Sequence, residues 1–281
     1  MKKTKAFLLT KSVGLYINFL SYVAPRKAFQ LAYVFFSNPR SGRLQHESLP
    51  KILDTSDRET LELNGHTIQT YRWAGNETVI LLLHGWESNS SRWEKLLPQL
   101  RKTGNTILAV DSPAHGLSSG KEFNVPLYAS FAELVIQKYQ PKHIIGHSMG
   151  GITAIYHQHH YSNAHLDKMV LLGAPSDFNI ILNNYLKLLS LNHRIKKAFY
   201  DYTKDHFKIN IDEFSGQEFL KKSQVNGIIV HDTEDTVVLF HEAKKLAEAW
   251  KSAQLITTKG LGHSLHDEEV NQKIVAFLLE A

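Results

Sequence analysis

Gly146-His147-Ser148-Met149-Gly150 sets a serine between two glycines, directly after the apolar run 142–145 and at the start of a helical pattern. A strand that turns sharply into a helix lifts its middle residue above the sheet, and glycines on either side remove Cβ atoms that would strike neighbouring backbone. Ser148 is the candidate nucleophile. Such a pattern arises by chance in roughly one chain of this length in ten, so the strand, turn and helix around it carry the reading. The plainer alternative is a helix N-cap. A serine hydroxyl attacks only when a base takes its proton and an acid orients that base. In the order serine, acid, histidine, the histidines late enough are His241, His263 and His266. His241 falls inside a predicted helix. His263 ends Lys259-Gly260-Leu261-Gly262-His263, a glycine-rich loop after the last strand, and is the favoured base, with His266 the alternative. The acid should follow the preceding strand, where Asp232, Glu234 and Asp235 stand together. Asp235 is favoured, and Asp232 occupies a turn position. The oxyanion would be held by two backbone N–H groups, that of Met149 and one from His84-Gly85-Trp86, most naturally Trp86.

A scaffold has to deliver these groups to one place. From residue 59 onward, short β-rich runs alternate with helical patterns. Strands are expected at 59–63, 67–74, 79–83, 106–110, 142–145, 168–172, 227–230 and 254–257, most of them continuously apolar as strands buried on both faces are. Helices are expected at 92–102, 127–139, 149–161, 239–251 and 267–280, giving an α/β fold with a mostly parallel sheet. Residues 176–226 contain no convincing strand, and a structureless loop of that length is unfavourable, so a helical lid insertion is expected there. Phe178, Ile181, Leu182, Tyr185, Leu186 and Leu189 share one helix face. Phe178, Leu182 and Leu186 are the candidate wall of an apolar substrate pocket; packing in the structural core is the alternative. The expected divisions are an N-terminal extension at 1–58, core at 59–175, lid at 176–226 and core again at 227–281.

Composition narrows the function further. With 43% hydrophobic and 21% charged residues the chain is an ordinary globular one, and without cysteine it has no disulfide, thiolate ligand or thiol nucleophile. Residues 1–46 hold eight Lys or Arg and no acid, leaving 24 basic against 27 acidic residues elsewhere, so the net +5 is concentrated in one segment. That distribution argues against a nucleic-acid groove. The uncharged runs 12–25 and 28–39 are too short to span a bilayer, and two helices punctuated by Pro25 and Pro39 fit better than a cleaved signal. Their apolar side chains, Phe7 among them, need burial. Docking on the domain beside the lid is expected, with peripheral membrane contact through residues 1–46 as an addition and a cytoplasmic location. His157, His159, His160 and His165 read as a solvated helix end and not as metal ligands.

Taken in order, His84-Gly85-Trp86, Asp111-Ser112-Pro113-Ala114-His115-Gly116-Leu117-Ser118, Gly146-His147-Ser148-Met149-Gly150-Gly151, Asp235 and Gly262-His263 resemble the α/β-hydrolase superfamily over residues 59–281. The resemblance implies a cofactor-free serine hydrolase with a helical lid, acting on a small-molecule ester or thioester with an apolar acyl group. It also implies that the Asp111 loop braces the site and takes no part in the chemistry. Two positions depart from the family pattern: Ala114 stands for a glycine, and Asp232 stands where a glycine commonly precedes the acid. The same triad also serves carbon–carbon or amide hydrolysis and acyl transfer. A non-catalytic ligand-binding protein on this fold would be marked by a broken triad, whereas every part is present here.

Overall fold

Eight strands pair edge to edge because the central ones, apolar and buried on both faces, can satisfy their backbone groups only through their neighbours. The computed structural model describes residues 2–280, with side chains from residue 8 onward. In chain order the elements are α1 (Lys2–Val23), α2 (Pro25–Ser37), α3 (Lys51–Asp54), β1 (Asp57–Leu63), β2 (His66–Trp73), β3 (Asn76–Leu83), α4 (Leu97–Arg101), β4 (Asn105–Val110), α5 (Val125–Tyr139), β5 (His143–His147) and α6 (Met149–Tyr161). They continue with β6 (Lys168–Leu172), α7 (Phe178–Leu189), α8 (His193–Tyr202), α9 (Gly216–Leu220), β7 (Asn226–Asp232), α10 (His241–Ala249), β8 (Ala253–Thr258) and α11 (Glu268–Leu279). All eight expected strands are present.

Two compact units result, one formed by residues 39–176 and 216–281, the other by residues up to Asn38 together with 177–215. In the first, the sheet order is β1-β2-β4-β3-β5-β6-β7-β8. Strands β3 to β8 are parallel, and β1 and β2 are antiparallel at one edge. Ile80, Leu82, Ile107, Ile145, Val170 and Val230 point to one face and pack with Leu97 and Leu100 of α4 and Ile274 and Leu278 of α11. The alternate residues Leu81, Leu108, Ile144, Met169 and Ile229 are equally buried, so the second face is covered too. There α5 packs on α6, and α10 lies against β7 and β8. Parallel β3, β5, β6, β7 and β8 are adjacent, so all five release their carboxyl ends at one edge of the sheet. Ligands bind along that edge in open α/β sheets.

The second unit is a helical cluster. Its core joins Ile17 of α1 and Ala28 and Ala32 of α2 to Leu182 and Leu186 of α7, Ile195 and Phe199 of α8, and Ile211. Polar contacts fix the register. Lys11 Nζ donates to the carbonyls of Lys187 and Leu188 at 3.3 and 2.9 Å, placing a cation on the carboxyl end of α7 where the helix dipole favours it. Tyr185 OH donates to Ala32 O at 2.7 Å, and in the α7–α8 turn Asn18 Nδ2 donates to Ser190 O at 2.8 Å while Asn192 N–H donates to Asn18 Oδ1 at 2.9 Å. Among the described residues no helix is long and apolar enough to cross a membrane.

The structure corrects four expectations. The helix at 92–102 is a 3-10 turn, Ser90–Lys95, followed by α4, because Pro98 cannot donate within a continuous helix. The helical insertion ends at Ser215, and α9 belongs to the sheet-containing unit. The N-terminal extension ends at Asn38, and residues 39–58 join the sheet unit. Leu182 and Leu186, taken as a pocket wall, are buried in the helical core, and Phe178 packs edge-on against Phe36 and Phe214. The apolar stripe on α7 faces the N-terminal helices, which sequence periodicity could not reveal. The side chains of residues 2–7, Phe7 included, lie outside the described ones.

Ile17 and Leu182, contributed by α1 and α7, are both fully buried in this core. Truncating either to alanine is expected to lower stability by ~2–5 kcal/mol, read by urea denaturation. A loss below ~1 kcal/mol at both sites would show that the cluster is loosely packed.

Candidate active site

Ser148 follows β5 and opens α6 with φ +52° and ψ −119°. A side chain is rarely tolerated there, and such strain of order 1–3 kcal/mol persists only where surroundings enforce it. Enforcement comes from the sheet and from two glycines. Ser148 N–H donates to Leu172 O at 2.8 Å, tying the turn to the end of β6. A Cβ on Gly150 would sit 2.1 Å from Leu83 O, so α6 approaches β3 more closely than any other residue permits. A Cβ on Gly85 would lie 2.9 Å from Ser148 Cβ, which brings the loop after β3 directly against the nucleophile candidate.

Asp235 and His263 meet from loops following β7 and β8. His263 Nδ1 donates to Asp235 Oδ2 at 2.7 Å, and the carboxylate is otherwise saturated, since Oδ1 accepts from the N–H groups of Val237 and Val238 at 2.8 and 3.0 Å. Burial pushes the Asp235 carboxyl up, but these hydrogen bonds outweigh it and hold its pKa below the ordinary value. The imidazole lies over Gly173 at the end of β6. Its backbone carbonyl accepts from His147 Nε2–H at 2.9 Å, so the residue beside Ser148 positions the loop carrying His263. Among the described residues no hydrogen bond joins the Ser148 hydroxyl to the His263 ring; such contacts are often long before substrate binds.

The other candidates are engaged elsewhere. Asp232 Oδ2 accepts from Thr258 Oγ1 and Leu261 N–H at 2.8 and 2.9 Å, while Oδ1 accepts from Glu234 N–H at 2.9 Å. Expected only as a turn residue, it anchors the loop that delivers His263. Burial raises its pKa, and the hydrogen bonds reverse the direction to leave it lowered. Glu234 is exposed near Lys259, His241 contacts Glu242 at 2.7 Å, and His266 lies 3.4 Å from the Arg92 guanidinium.

The loop carrying Gly85 and Trp86 is held by two neutral imidazoles. His84 Nδ1–H donates to Gly85 O at 2.8 Å, and its Nε2 accepts from Ser112 N–H at 2.9 Å. His115 Nε2 accepts from Glu87 N–H at 2.9 Å, and its Nδ1–H donates to Pro113 O at 2.8 Å. Burial lowers both pKa values to about 4. Among the described residues, the N–H groups of Trp86 and Met149 have no protein acceptor, which leaves them free for an oxyanion. The Trp86 ring stands edge-on to His115 and Phe123.

Asp111 braces this loop from below. Its carboxylate accepts from Ser90 N–H and Oγ, Tyr71 OH and Leu117 N–H at 2.7 to 2.9 Å. Ala114, the departure noted in this segment, takes φ +64°, a conformation better suited to glycine, and keeps it through a 2.9 Å bond to Ser119 O. Sequence reasoning missed the clamping roles of His84, His115 and His147. Their only signal was three histidines beside chemistry-bearing positions. In the histidine-rich stretch, His157 is buried and bonded to Glu133 at 2.6 Å, and among the described residues no three His, Asp or Glu side chains gather as metal ligands.

A family model described as alpha/beta hydrolase fold matches residues 78–202. A serine hydrolase-like protein of Danio rerio is 41% identical over 81 residues, 27% of this chain and 24% of that one. The AB hydrolase superfamily protein YisY of Bacillus subtilis is 24% identical over 247 residues, 72% of this chain and 92% of that one. Among solved structures, an esterase from Exiguobacterium antarcticum shares the fold, with a TM-score of 0.59 and 19% identity over 77% of this chain and 96% of its own.

The neutral clamps give a pH signature. In the unfolded chain imidazoles take up protons near pH ~6.5, whereas His84 and His115 resist protonation down to about 4. Between those values the unfolded state binds more protons, so stability falls as pH falls, by up to ~1.4 kcal/mol per pH unit for each group. Urea melts from pH 7 to 4.5 should show this slope, and His115→Gln should reduce it. A flat profile would contradict neutral imidazoles at these positions.

Proposed function

We propose that the chain is a member of the α/β-hydrolase superfamily, which its match to the family model and its similarity to YisY support, and that it is a cofactor-free serine hydrolase cleaving a carboxylic ester or thioester through an acyl-enzyme. The observation that carries this reading is the buried Asp235 bonded to His263 on a loop clamped by His147, the neighbour of the strained Ser148. In the proposed reaction Ser148 Oγ attacks the acyl carbon as His263 Nε2 takes its proton. Asp235 keeps the proton on Nδ1 in the resting imidazole and stabilises the imidazolium that forms. The N–H groups of Trp86 and Met149 receive the developing oxyanion, an interaction worth ~3–4 kcal/mol per donor in related cases. The imidazolium then protonates the leaving group, and water activated by the same base releases the acid. Similarity to the serine hydrolase-like protein of Danio rerio supports this class. With Leu182 and Leu186 inside the helical core, no preference for apolar acyl chains follows from that stripe.

Ser148→Ala should abolish labelling by a fluorophosphonate probe and lower kcat by ~10⁴-fold or more on a p-nitrophenyl ester, with the melting temperature kept. A variant retaining a tenth of the activity would overturn the assignment of the nucleophile.

The two aspartates separate by different measurements. Asp235→Asn should reduce kcat by ~10⁴-fold with modest change in stability, because an amide there favours the wrong imidazole tautomer. Asp232→Asn should cost ~1–3 kcal/mol of stability, because its NH₂ group would face the Leu261 N–H donor, with a much smaller loss of kcat. If Asp232→Asn proves the more damaging to kcat, the acid is misassigned.

A further inference from the structure

The helix α1 is apolar on two sides, and only one of them is packed. Gly14, Ile17 and Ser21 are buried in the helical core. On the opposite side Leu8, Leu9, Leu15, Tyr16, Phe19 and Val23 are each between 57% and 72% exposed, and Tyr22 is 63% exposed. At ~100° per residue these positions share one continuous arc, and at ~1.5 Å per residue the stripe is ~20 Å long. A helix that is hydrophobic all round requires cover on every side. Scattered exposed leucines are ordinary, but an aligned row of seven large side chains marks an interaction surface.

Charge identifies what would cover it. The helical unit has twelve Lys or Arg against five Asp or Glu, and within it residues 1–38 have six against none, while the sheet-containing unit has twenty against twenty-two. Arg26 and Lys27 are exposed in the first turn of α2, immediately after Val23. That turn contains no acid, so two cations stand where the helix dipole opposes them, an arrangement an anionic partner would relieve. At the same end of the stripe the Arg194 guanidinium lies 4.6 Å from the Tyr22 ring centroid. Three of the seven side chains are aromatic, the type suited to the boundary between acyl chains and headgroups. A second copy of the chain is the poorer occupant, since pairing this face with itself would bring two strongly cationic units together.

We propose that the outer face of α1 docks on the surface of an anionic lipid bilayer, the helix lying in the headgroup plane. Its apolar row enters the acyl boundary while Arg26, Lys27 and Arg194 meet lipid phosphates. Docking of one face on the helical core and of the other on a membrane are therefore compatible. This inference does not depend on the proposed reaction.

The test is flotation of the full-length protein with extruded vesicles of phosphatidylcholine alone or mixed with phosphatidylglycerol, at low and high salt. The expected result is binding to the anionic vesicles that weakens as salt rises, with little binding to the neutral ones. Leu15→Gln with Phe19→Gln should weaken that binding by ~10-fold or more, while melting temperature and hydrolysis of a short water-soluble ester stay unchanged. Arg26→Gln with Lys27→Gln should weaken it and flatten the salt dependence. Equal binding by the Leu15/Phe19 variant would overturn the proposal. So would wild-type protein that ignores both kinds of vesicle but sediments as a dimer split by that variant, which would make the face a self-interface.

Discussion

Ser148 stands at φ +52°, and much of the surrounding structure acts to keep it there. A local conformation costing of order 1–3 kcal/mol cannot be sustained by its own segment. It is sustained by the Ser148–Leu172 hydrogen bond, the close approach of Gly150 to Leu83, and a sheet whose adjacent strands are buried on both faces. The same sheet order explains how groups spread over residues 85–263 meet. Strands β3, β5, β6, β7 and β8 are neighbours and parallel, so their carboxyl-end loops converge without any one loop being long.

Around that turn the structure relies on hydrogen bonds from neutral, buried imidazoles instead of ion pairs. His84 and His115 each accept one backbone N–H and donate to one carbonyl, spanning the gap between the loop after β3 and the loop after β4. A neutral imidazole is the one side chain that both donates and accepts through a rigid ring, which suits it to holding two backbone segments at a fixed separation. His147 does similar work for the loop bearing His263. Asp232 is the charged counterpart, collecting the Glu234 N–H from its own loop and the Thr258 O–H and Leu261 N–H from the start of the loop bearing His263.

The helical unit illustrates a different constraint. Tyr185 and Ala32, joined by a hydrogen bond, lie 153 positions apart, so neither the N-terminal pair of helices nor the insertion completes a core by itself. Closing such a loop costs little more than closing a short one, because the entropy grows only logarithmically with length. Burying Ile17, Leu182, Ile195 and Phe199 together offsets that cost. One face of α1 is thereby satisfied, and the other retains its exposed row.

The sequence by itself determined the eight strands, the sharp turn at Ser148 and the chain order that narrowed the acid to Asp232, Glu234 or Asp235 and the base to His241, His263 or His266. Each of these rests on local physics: continuous apolar runs for strands buried twice, glycines where a turn is tight, and loops placed just after strands. Only the tertiary structure decided between neighbours of the same chemistry. Asp232 and Asp235 are three positions apart and both carboxylates, yet one accepts three donors from its own loops and the other accepts the imidazole, a difference set by strands β7 and β8 lying side by side. Periodicity likewise showed that Leu182 and Leu186 share a face, but the face of a helix does not encode what covers it. Here the covering surface comes from residues more than a hundred positions earlier, which no local pattern in α7 can record.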